Sequence, residues 1–196
     1  MKSNIRYGIV GSGRMAKHMA AYFAFEAIAP VQWSRKSDKG SPVDKLKDCS
    51  IILLLISDDA IEPFVKQYPE LTKKRLIHFS GSLYSQQVWG MHPLMTFAKQ
   101  LYSLAAYRQI PFIVEDRVNF KDIFPNLSNR SYPLRSDMKG LYHALCVMSG
   151  TFSVVLWQKI RKMFERDLQI PWEVLIPYLT RAFQNISVDP EHALTG

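Results

Sequence analysis

The stretch that decides the fold is YGIVGSGRMA, residues Tyr7–Ala16. It joins an apolar strand candidate, Ile5–Val10, to the pattern Gly11-x-Gly13-x-x-Ala16, and a helical pattern follows over about residues 14–27. In a dinucleotide-binding βαβ unit the first glycine permits a tight turn, the second lets the backbone approach a pyrophosphate, and the third small residue lets the helix pack on the strand. The N-terminus of that helix offers unpaired N–H groups to phosphates. The sequence therefore predicts a nucleotide-binding Rossmann unit at the start of the chain.

The second predicted strand, Val31–Ser34, indicates which dinucleotide is bound. Ser34 closes this strand, and Arg35 and Lys36 follow it. A unit specific for NAD places Asp or Glu here, about 20 residues past the glycines, to bind the ribose 2′-hydroxyl. A hydroxyl followed by two cations suits a 2′-phosphate instead, because charge-assisted hydrogen bonds to phosphate are strong. We expect NADP as the cofactor; the alternative is that Arg35 and Lys36 form a solvated loop end.

Strand and helix signals alternate through the first part of the chain, which is typical of an α/β fold with a parallel sheet. The six-residue aliphatic run Ile51–Ile56 predicts a strand buried on both faces. Further strands are predicted at residues 75–79, 88–91, 110–114 and 132–134, with helices at 42–46 and at 61–68, the latter capped by Asp58 or Asp59. We therefore predict an NADP-binding Rossmann domain over residues 1–135.

From Ser136 onward the pattern is helical, which predicts a mainly α-helical C-terminal region over residues 136–196. A long helix at about 137–163 carries apolar residues in steps of three and four, typical of a buried stripe: Leu141, Leu145, Met148, Phe152, Leu156 and Ile160. A second helix after Pro171 has its own apolar side, made of Leu175, Leu179, Ala182 and Ile186. One small sheet cannot cover both faces, so we expect a homodimer formed through these helices, with the substrate cleft close to that interface.

Three residues are candidates for proton transfer to a substrate. His92 follows a predicted strand end and precedes Pro93, so its backbone is held while its ring can reach the crevice. Lys139 and His143 lie one helical turn apart, and a cation and an imidazole on one face can orient a carbonyl or imine and deliver a proton. The alternatives stay open: Lys139 as an exposed first-turn residue and His143 as a core histidine.

Small polar residues follow the predicted strand ends. The carboxyl ends of parallel strands face the ligand crevice, so we expect Ser57, Ser80, Gly81 and His92 to lie on one rim. Ser80 and Gly81 are further candidate cofactor-binding residues, because the segment Ser80–Ser82 offers hydroxyls and a close backbone approach; an ordinary turn is the alternative.

Composition excludes several other classes of protein. The net charge is +8 over 196 residues, but the cations are scattered and no nucleic-acid module accompanies them, so we expect no nucleic-acid partner. Cys49 and Cys146 form no C-x-x-C pattern, which fits a reducing cytoplasm. The five histidines show no ligand-like clustering with cysteine, so no metal is expected. The longest aliphatic run has six residues, and we expect no membrane span.

These segments together resemble a known family. The motifs that carry the resemblance are the glycine turn, Ser34–Lys36, Leu55–Ile61, His78–Ser82 and His92–Leu94, then Tyr142–Leu145, Leu175–Leu179, Asn185 and Ala193–Gly196. They are similar to short Rossmann-like NADP oxidoreductases related to pyrroline-5-carboxylate reductase, ketopantoate reductase and β-hydroxyacid dehydrogenases. The resemblance covers nearly the whole chain, and it implies a Rossmann domain followed by a helical domain.

The resemblance also implies roles for particular residues. It assigns the pyrophosphate to Gly11, Ser12, Gly13, Arg14 and Met15, the adenosine ribose phosphate to Ser34, Arg35 and Lys36, and the nicotinamide side to Ile56 and Ser57. It places Tyr142–Ala144 at the substrate cleft. Two departures bear on catalysis more than on cofactor binding. Relatives carry Ser-Asn where this chain has Ser149-Gly150, and they continue into further helices where this chain stops, so that the cleft is either incomplete or closed by a partner subunit.

The expected function is hydride transfer between NADPH and a small carbonyl, imine or hydroxy-acid substrate. The alternative is a non-catalytic NADP-binding module that acts as a sensor or scaffold, which the missing amide at Gly150 and the short C-terminus favour.

Overall fold

A computed structural model describes residues 5–193 of the chain, so the last three residues of the family-like segment 193–196 lie outside the described residues. Its centre is a seven-stranded sheet with the order β2-β1-β3-β4-β5-β6-β7. The strands are β1 Tyr7–Val10, β2 Val31–Trp33, β3 Ile51–Leu54, β4 Arg75–His78, β5 Trp89–Pro93, β6 Phe112–Glu115 and β7 Ser131–Leu134. The predicted α/β Rossmann fold is confirmed.

The sheet is mostly parallel. All pairs among β1 to β5 are parallel, whereas β6 is antiparallel to β5 and β7 pairs parallel with β6. The chain leaves β1 toward β2 on one side and then returns to place β3 on the other side. Ligands of open α/β sheets bind in the crevice outside the strand ends where the strand order reverses in this way.

Helices connect and follow these strands. They are α1 Arg14–Phe25, α2 Pro42–Lys45, α3 Asp58–Gln67, α4 Leu104–Gln109, α5 Phe120–Ile123, α6 Lys139–Cys146, α7 Ser153–Arg166 and α8 Ile176–Val188. Short 3-10 turns lie at Pro69–Lys73, Ser136–Met138 and Trp172–Leu175, and a π-helical segment, Val147–Phe152, joins α6 to α7.

Apolar residues fill both faces of the sheet. Alternate residues of each central strand point to opposite faces, so Ile9 and Leu53 belong to one core cluster while Val10 and Leu54 belong to the other. All four residues of β3 are buried, as the aliphatic run predicted. This two-sided burial fixes the strand ends that carry the polar residues described below.

Three local predictions need correction. Helix α3 begins at Asp58 with Ser57 at its N-cap, not at residue 61 with an aspartate cap, because Asp58 bonds to Ser80 instead. His92 does not follow a strand end: it lies inside β5, opposite Ile113 of β6. Helix α4 was not predicted, and the Ser103 hydroxyl caps it by accepting from Ala106 N.

The chain divides into two compact units, one ending at Ala144 and the other beginning at Leu145. In the second unit α7 and α8 each have no buried residue, and Trp157 and Phe183 bring their ring centroids to 6.3 Å. The predicted long helix and the second helix are present. The prediction that the stripe is buried is wrong for a single chain, since Leu145, Met148 and Phe152 are 55–61% exposed.

By length and composition alone, one helix in the described part of the chain could cross a membrane. It is the continuous helical stretch Ser136–Arg166, with a mean hydropathy of 1.4 over its most apolar window. A single such helix is weak evidence for a span, so the expectation of no membrane association stays a prediction.

Candidate functional site

The turn after β1 has the backbone that the glycine pattern predicts. Gly11 has a φ of +126°, and a Cβ added there would lie 2.3 Å from the carbonyl oxygen of Leu55, the residue directly after β3. Only glycine fits both the conformation and the space. Gly13 is the N-cap of α1 and provides no side-chain hydrogen bond, and a Cβ added to it would meet no atom within 4 Å. Gly13 and the first two residues of α1, Arg14 and Met15, line the cavity described next, and the first N–H groups of a helix have no partner within the helix itself.

A cavity of about 720 Å³ lies at this turn, at the carboxyl ends of β1, β2 and β3. Its volume is within the range of small-molecule and cofactor sites. Eleven of the twelve residues predicted to bind cofactor line it: Gly11, Ser12, Gly13, Arg14, Met15, Ser34, Arg35, Lys36, Ile56, Ser57 and Ser80. Gly81 does not line this cavity and lies beside His92 and His143.

The residues after β2 form a loop that is held by hydrogen bonds and carries two exposed cations. Ser34 is buried: its N–H donates to Asp38 Oδ2 at 3.0 Å, and Lys45 donates to the other oxygen of that carboxylate. The hydrogen bond from Lys45 lowers the pKa of Asp38 to about 2. Arg35 and Lys36 are exposed and line the cavity, and within residues 5–193 neither forms a salt bridge. The nearby carboxylate is thus neutralised by a lysine and the two cations remain available to an anion.

Aromatic side chains that the sequence reasoning missed line the same part of the cavity. They are Trp33, Phe64 and Tyr68, with the ring centroids of Phe64 and Tyr68 5.0 Å apart. Trp33 donates its indole N–H to the Gly40 carbonyl at 2.9 Å, which fixes the ring. The spacing of Phe64 and Tyr68, one turn apart at the end of α3, is the signal that could have found them.

Asp58 and Ser80 form a fixed polar pair on the cavity wall. The Ser80 hydroxyl donates to Asp58 Oδ2 and accepts from the backbone N–H groups of Ser82 and Leu83, at 3.2 and 2.9 Å. This hydroxyl is therefore fully engaged, and its effect is to hold the Asp58 carboxylate at the start of α3. Sequence reasoning missed Asp58 as a site residue because it assigned the residue to helix capping.

His92 is hydrogen-bonded to a tyrosine of α6. Its Nδ1 lies 2.7 Å from Tyr142 Oη, and the two rings meet edge to face with centroids 5.6 Å apart. Burial lowers the pKa of His92 to about 4, and the neighbouring charges of His143 and Lys139 act in the same direction. The imidazole is therefore neutral at physiological pH. Its catalytic role stays a prediction.

Lys139 is not an exposed first-turn residue. Its side chain is 6% exposed, and Nζ donates to Glu115 Oε1 at 2.9 Å, while Arg117 Nε donates to the other oxygen at 2.9 Å. Burial raises the pKa of Glu115, but the hydrogen bonds and charges of Lys139 and Arg117 outweigh it, so this pKa lies below its usual value. A Cβ on Gly90 would lie 2.4 Å from Lys139 Nζ, so the glycine makes room for the pair.

His143 lies against the turn after β4. A Cβ on Gly81 would be 2.8 Å from His143 Nδ1 and 3.4 Å from His92 Nε2. His143 Nδ1 is buried, and it has no hydrogen-bond partner among the described residues. The absence of a side chain at Gly81 therefore leaves room for both imidazoles. A space of about 10 Å³ remains here, lined by residues that include Ser80, Gly81, His92, Lys139 and Tyr142.

A buried histidine lies beneath this region. His78 Nδ1 accepts from the Ser80 N–H at 3.2 Å, and its Nε2 is 3.9 Å from Glu115 Oε1. Burial, helped by the charge of Lys139, lowers the pKa of His78 to about 4. Across the described part of the chain, no group of three or more His, Cys, Asp or Glu residues is arranged to hold a metal ion.

Comparison with known proteins places the fold in a class. Residues 114–196 match a family described as a domain of unknown function (DUF2520). A search of the curated proteins finds no match to this chain. The chain shares a Rossmann-like fold with solved NADP oxidoreductases, and this confirms the resemblance predicted from the sequence at the level of the fold.

Three solved structures illustrate this similarity. A candidate NADP oxidoreductase from Bacteroides fragilis aligns with a TM-score of 0.76 at 19% identity, over 98% of this chain and 84% of its own. Pyrroline carboxylate reductase from Plasmodium falciparum, solved with NADP bound, aligns at 0.66 and 15% identity, over 97% and 81%. An imine reductase from Streptomyces aurantiacus aligns at 0.69 and 12% identity, over 93% and 74%.

Proposed function

We propose that this protein binds NADP(H) in the 720 Å³ cavity and uses it as an oxidoreductase. The observation that carries the proposal is the cavity itself, which is lined by both the Gly11–Met15 turn and the Arg35 and Lys36 cations. The residues fit the cofactor: a Cβ on Gly13 would meet no atom within 4 Å, so a pyrophosphate can approach the backbone there, and the N-terminus of α1 at the cavity favours a bound phosphate. The structural neighbours named above include an NADP-bound reductase.

The preference for NADP over NAD is assigned to Arg35 and Lys36. Both cations lie at the cavity, and Asp38, which could otherwise bind ribose hydroxyls, is held by Ser34 N and Lys45. A charge-assisted hydrogen bond contributes about 1.5–3 kcal/mol, so each cation favours the 2′-phosphate by roughly 10- to 150-fold.

The proposed reaction is the reduction of a small carbonyl or imine, or the oxidation of a hydroxy acid. The nicotinamide of NADPH supplies the hydride. The protein positions Asp58 and Ser80 on the cavity wall and places the hydrogen-bonded His92 and Tyr142 next to Ser80, around the adjoining small space.

Calorimetric titration with NADPH and NADH tests the binding proposal. Arg35→Ala with Lys36→Ala should abolish the preference for NADPH and leave NADH binding unchanged. The matched control is Lys159→Ala with Lys162→Ala, which removes the same charge from the exposed surface of α7. Equal affinity of the unchanged protein for both dinucleotides contradicts the assignment.

A second candidate function is a non-catalytic NADP-binding sensor or scaffold. Two observations beside the cavity favour it. The Lys139 ammonium is already paired with Glu115, and the space among Ser80, His92 and Tyr142 is only about 10 Å³. This function predicts NADPH binding without NADPH oxidation across a panel of 2-oxo acids, aldehydes and cyclic imines. Substrate-dependent oxidation of NADPH by any member of the panel rules it out.

We further propose that the helices after residue 136 associate as a homodimer in the cytoplasm. The support is the row of apolar side chains that a single chain leaves exposed, among them Leu141, Leu145, Met148, Phe152 and Leu156 at 55–61%. Exposed apolar patches of this kind mark interfaces, and two-fold pairing is the commonest arrangement. Light scattering at micromolar concentration tests it, and flotation with lipid vesicles tests the membrane alternative.

A further inference from the structure

We propose that the carboxylate of Asp58 makes the 720 Å³ cavity select a positively charged substrate, a protonated imine, over a 2-oxo acid. This inference rests on the proposed oxidoreductase function and narrows its substrate class. Asp58 is the first residue of α3 and lines the cavity, and its Oδ2 accepts from the hydroxyl of Ser80, which lines the same cavity. One carboxylate is therefore held at a defined place on the wall.

The order of the strands puts Asp58 at the nicotinamide end of the proposed cofactor. Strand β1, whose turn is proposed to hold the pyrophosphate, has β2 on one side and β3 followed by β4 on the other. The cations proposed to bind the 2′-phosphate follow β2, so the adenosine half takes that side and the nicotinamide half extends toward β3 and β4. Asp58 comes after β3 and Ser80 after β4, and both line the cavity.

No cation neutralises Asp58 in the described part of the chain. Within residues 5–193 it forms no salt bridge, and its hydrogen bond from Ser80 comes from a neutral hydroxyl. Two histidines, His78 and His92, interact with its charge, but burial lowers the pKa of each to about 4, so they are neutral at physiological pH. The carboxylate therefore presents a negative charge to the cavity.

An anionic substrate lacks a counter-ion at this end of the cavity. The cations among the described lining residues are Arg14, Arg35 and Lys36, which lie at the start of α1 or in the loop after β2. Lys139 lines only the adjoining space of about 10 Å³ and is paired with Glu115. Proteins bind carboxylates through Arg or Lys by charge-assisted hydrogen bonds. The carboxylate of a 2-oxo acid is repelled here, whereas a cation gains a partner.

A protonated imine also needs no acid from the protein. Hydride from NADPH forms a C–H bond at the iminium carbon, and the electron pair of the C=N double bond becomes the lone pair of the amine nitrogen. The products are NADP⁺ and a neutral amine, which takes up a proton from solvent. Positive charge passes from the substrate to the nicotinamide ring, so a carboxylate beside both keeps a cationic partner throughout the step. A carbonyl instead develops an oxyanion, which that carboxylate disfavours.

The first test measures binding and needs no turnover. Pyrrolidinium, a cation that cannot accept hydride, should bind to the NADPH-loaded protein in a calorimetric titration. Asp58→Asn, which keeps an oxygen to accept from Ser80, should weaken that binding by about tenfold or more, because a nearby opposite charge strongly favours a cation. Asp58→Glu, which retains the charge, should keep most of it.

The matched control for this titration is Asp59→Asn. It removes the same charge from the same first turn of α3, but Asp59 does not line the cavity. This variant should bind pyrrolidinium as the unchanged protein does. Equal binding by the Asp58→Asn and Asp59→Asn variants overturns the proposal.

The second test is NADPH oxidation with three probes of different charge. N-methyl-1-pyrrolinium, a permanent cation, should have a higher kcat/KM than cyclopentanone, a neutral ring of similar size, and than pyruvate, an anion. Asp58→Asn should lower kcat/KM for the pyrrolinium by about tenfold or more and should not lower it for pyruvate. A higher kcat/KM for pyruvate in the unchanged protein overturns the proposal while the oxidoreductase function stands. Pyrrolidinium binding that depends on Asp58, without turnover of any probe, supports the selection of a cation and overturns the oxidoreductase function.

Discussion

Replacing Lys139 by methionine tests the buried ion pair that joins α6 to β6. The Lys139 and Glu115 side chains are 6% and 2% exposed, and Nζ lies 2.9 Å from Oε1. Lys139→Met keeps most of the apolar stem but leaves the Glu115 carboxylate buried with only Arg117 to balance it. Removing one partner of a buried pair costs about 3–5 kcal/mol, because the remaining charge is not compensated. For a chain of 196 residues this corresponds to a fall in Tm of roughly 6–20 °C.

A double-mutant cycle separates the pair from the two side chains. Glu115→Gln should also destabilise the protein, whereas Lys139→Met with Glu115→Gln should recover much of the loss, since a neutral pair of similar size leaves no buried charge. The control is the exposed Arg161–Glu165 pair of α7, with side chains 57% and 41% exposed. Arg161→Met there should cost only about 0.3–0.5 kcal/mol. Urea and thermal unfolding followed by circular dichroism measure all of these variants.

The result that refutes this reasoning is a Lys139→Met variant no less stable than Arg161→Met. The pH dependence gives an independent check. The pKa of Glu115 is below its usual value in the folded chain, so its contribution to the free energy of unfolding is present above the pKa of an unfolded glutamate and is lost as pH falls through the folded pKa. Lys139→Met should weaken that acid-sensitive contribution.

Three further predictions concern cofactor binding, pH and assembly. Gly13→Ala should lower Tm by only a few degrees, because alanine is a poorer helix N-cap than glycine. It should weaken NADPH binding by about tenfold or more, because the new Cβ enters the open space of the cavity, whereas Gly40→Ala, also without neighbours within 4 Å, should leave NADPH binding unchanged. His78 and His92 both have a pKa of about 4 in the folded chain, so the unfolded chain takes up their protons first as the pH falls below 6.5. The free energy of unfolding should therefore fall by on the order of 3 kcal/mol per histidine between pH 6.5 and pH 4, as measured by urea unfolding across that range. Phe152→Glu should convert the proposed homodimer to a monomer of 22.6 kDa in light scattering, whereas a monomeric unchanged protein contradicts the dimer.

The sequence predicts those parts of the site that depend on consecutive residues. The Gly11–Gly13 turn needs only a strand before it and a helix after it, and the cavity lies beside it. Arg35 and Lys36 are predicted as site residues in the same way, because they come shortly after the end of β2. Strand β3 could be predicted from the sequence because a parallel strand that is buried on both faces has an uninterrupted aliphatic run.

The position of His92 was mispredicted because Pro93 indicates a turn. A proline lacks the N–H that a strand donates, so it is tolerated at a strand end or edge. Strand β5 pairs with β4 only at Trp89 and Gly90, and beyond them it pairs with β6 alone. Pro93 is the last residue of β5, so the strand continues through His92 to the proline. That pairing depends on β6 running antiparallel, which no local pattern shows.

Two glycines decide how α6 meets the sheet. Gly90 of β5 leaves the space that Lys139 Nζ and Glu115 fill, and Gly81, which follows β4, leaves the space that His143 fills. Lys139 and His143, which helical spacing selects as a catalytic pair, are thus two of the points at which the helix packs on this part of the sheet. The sequence shows both the glycines and the i, i+4 spacing, but only the folded chain joins them across residues 81–143. Between them, Tyr142 packs edge to face on the His92 ring and forms a hydrogen bond with it, which is a further contact from the same turn of α6 to β5.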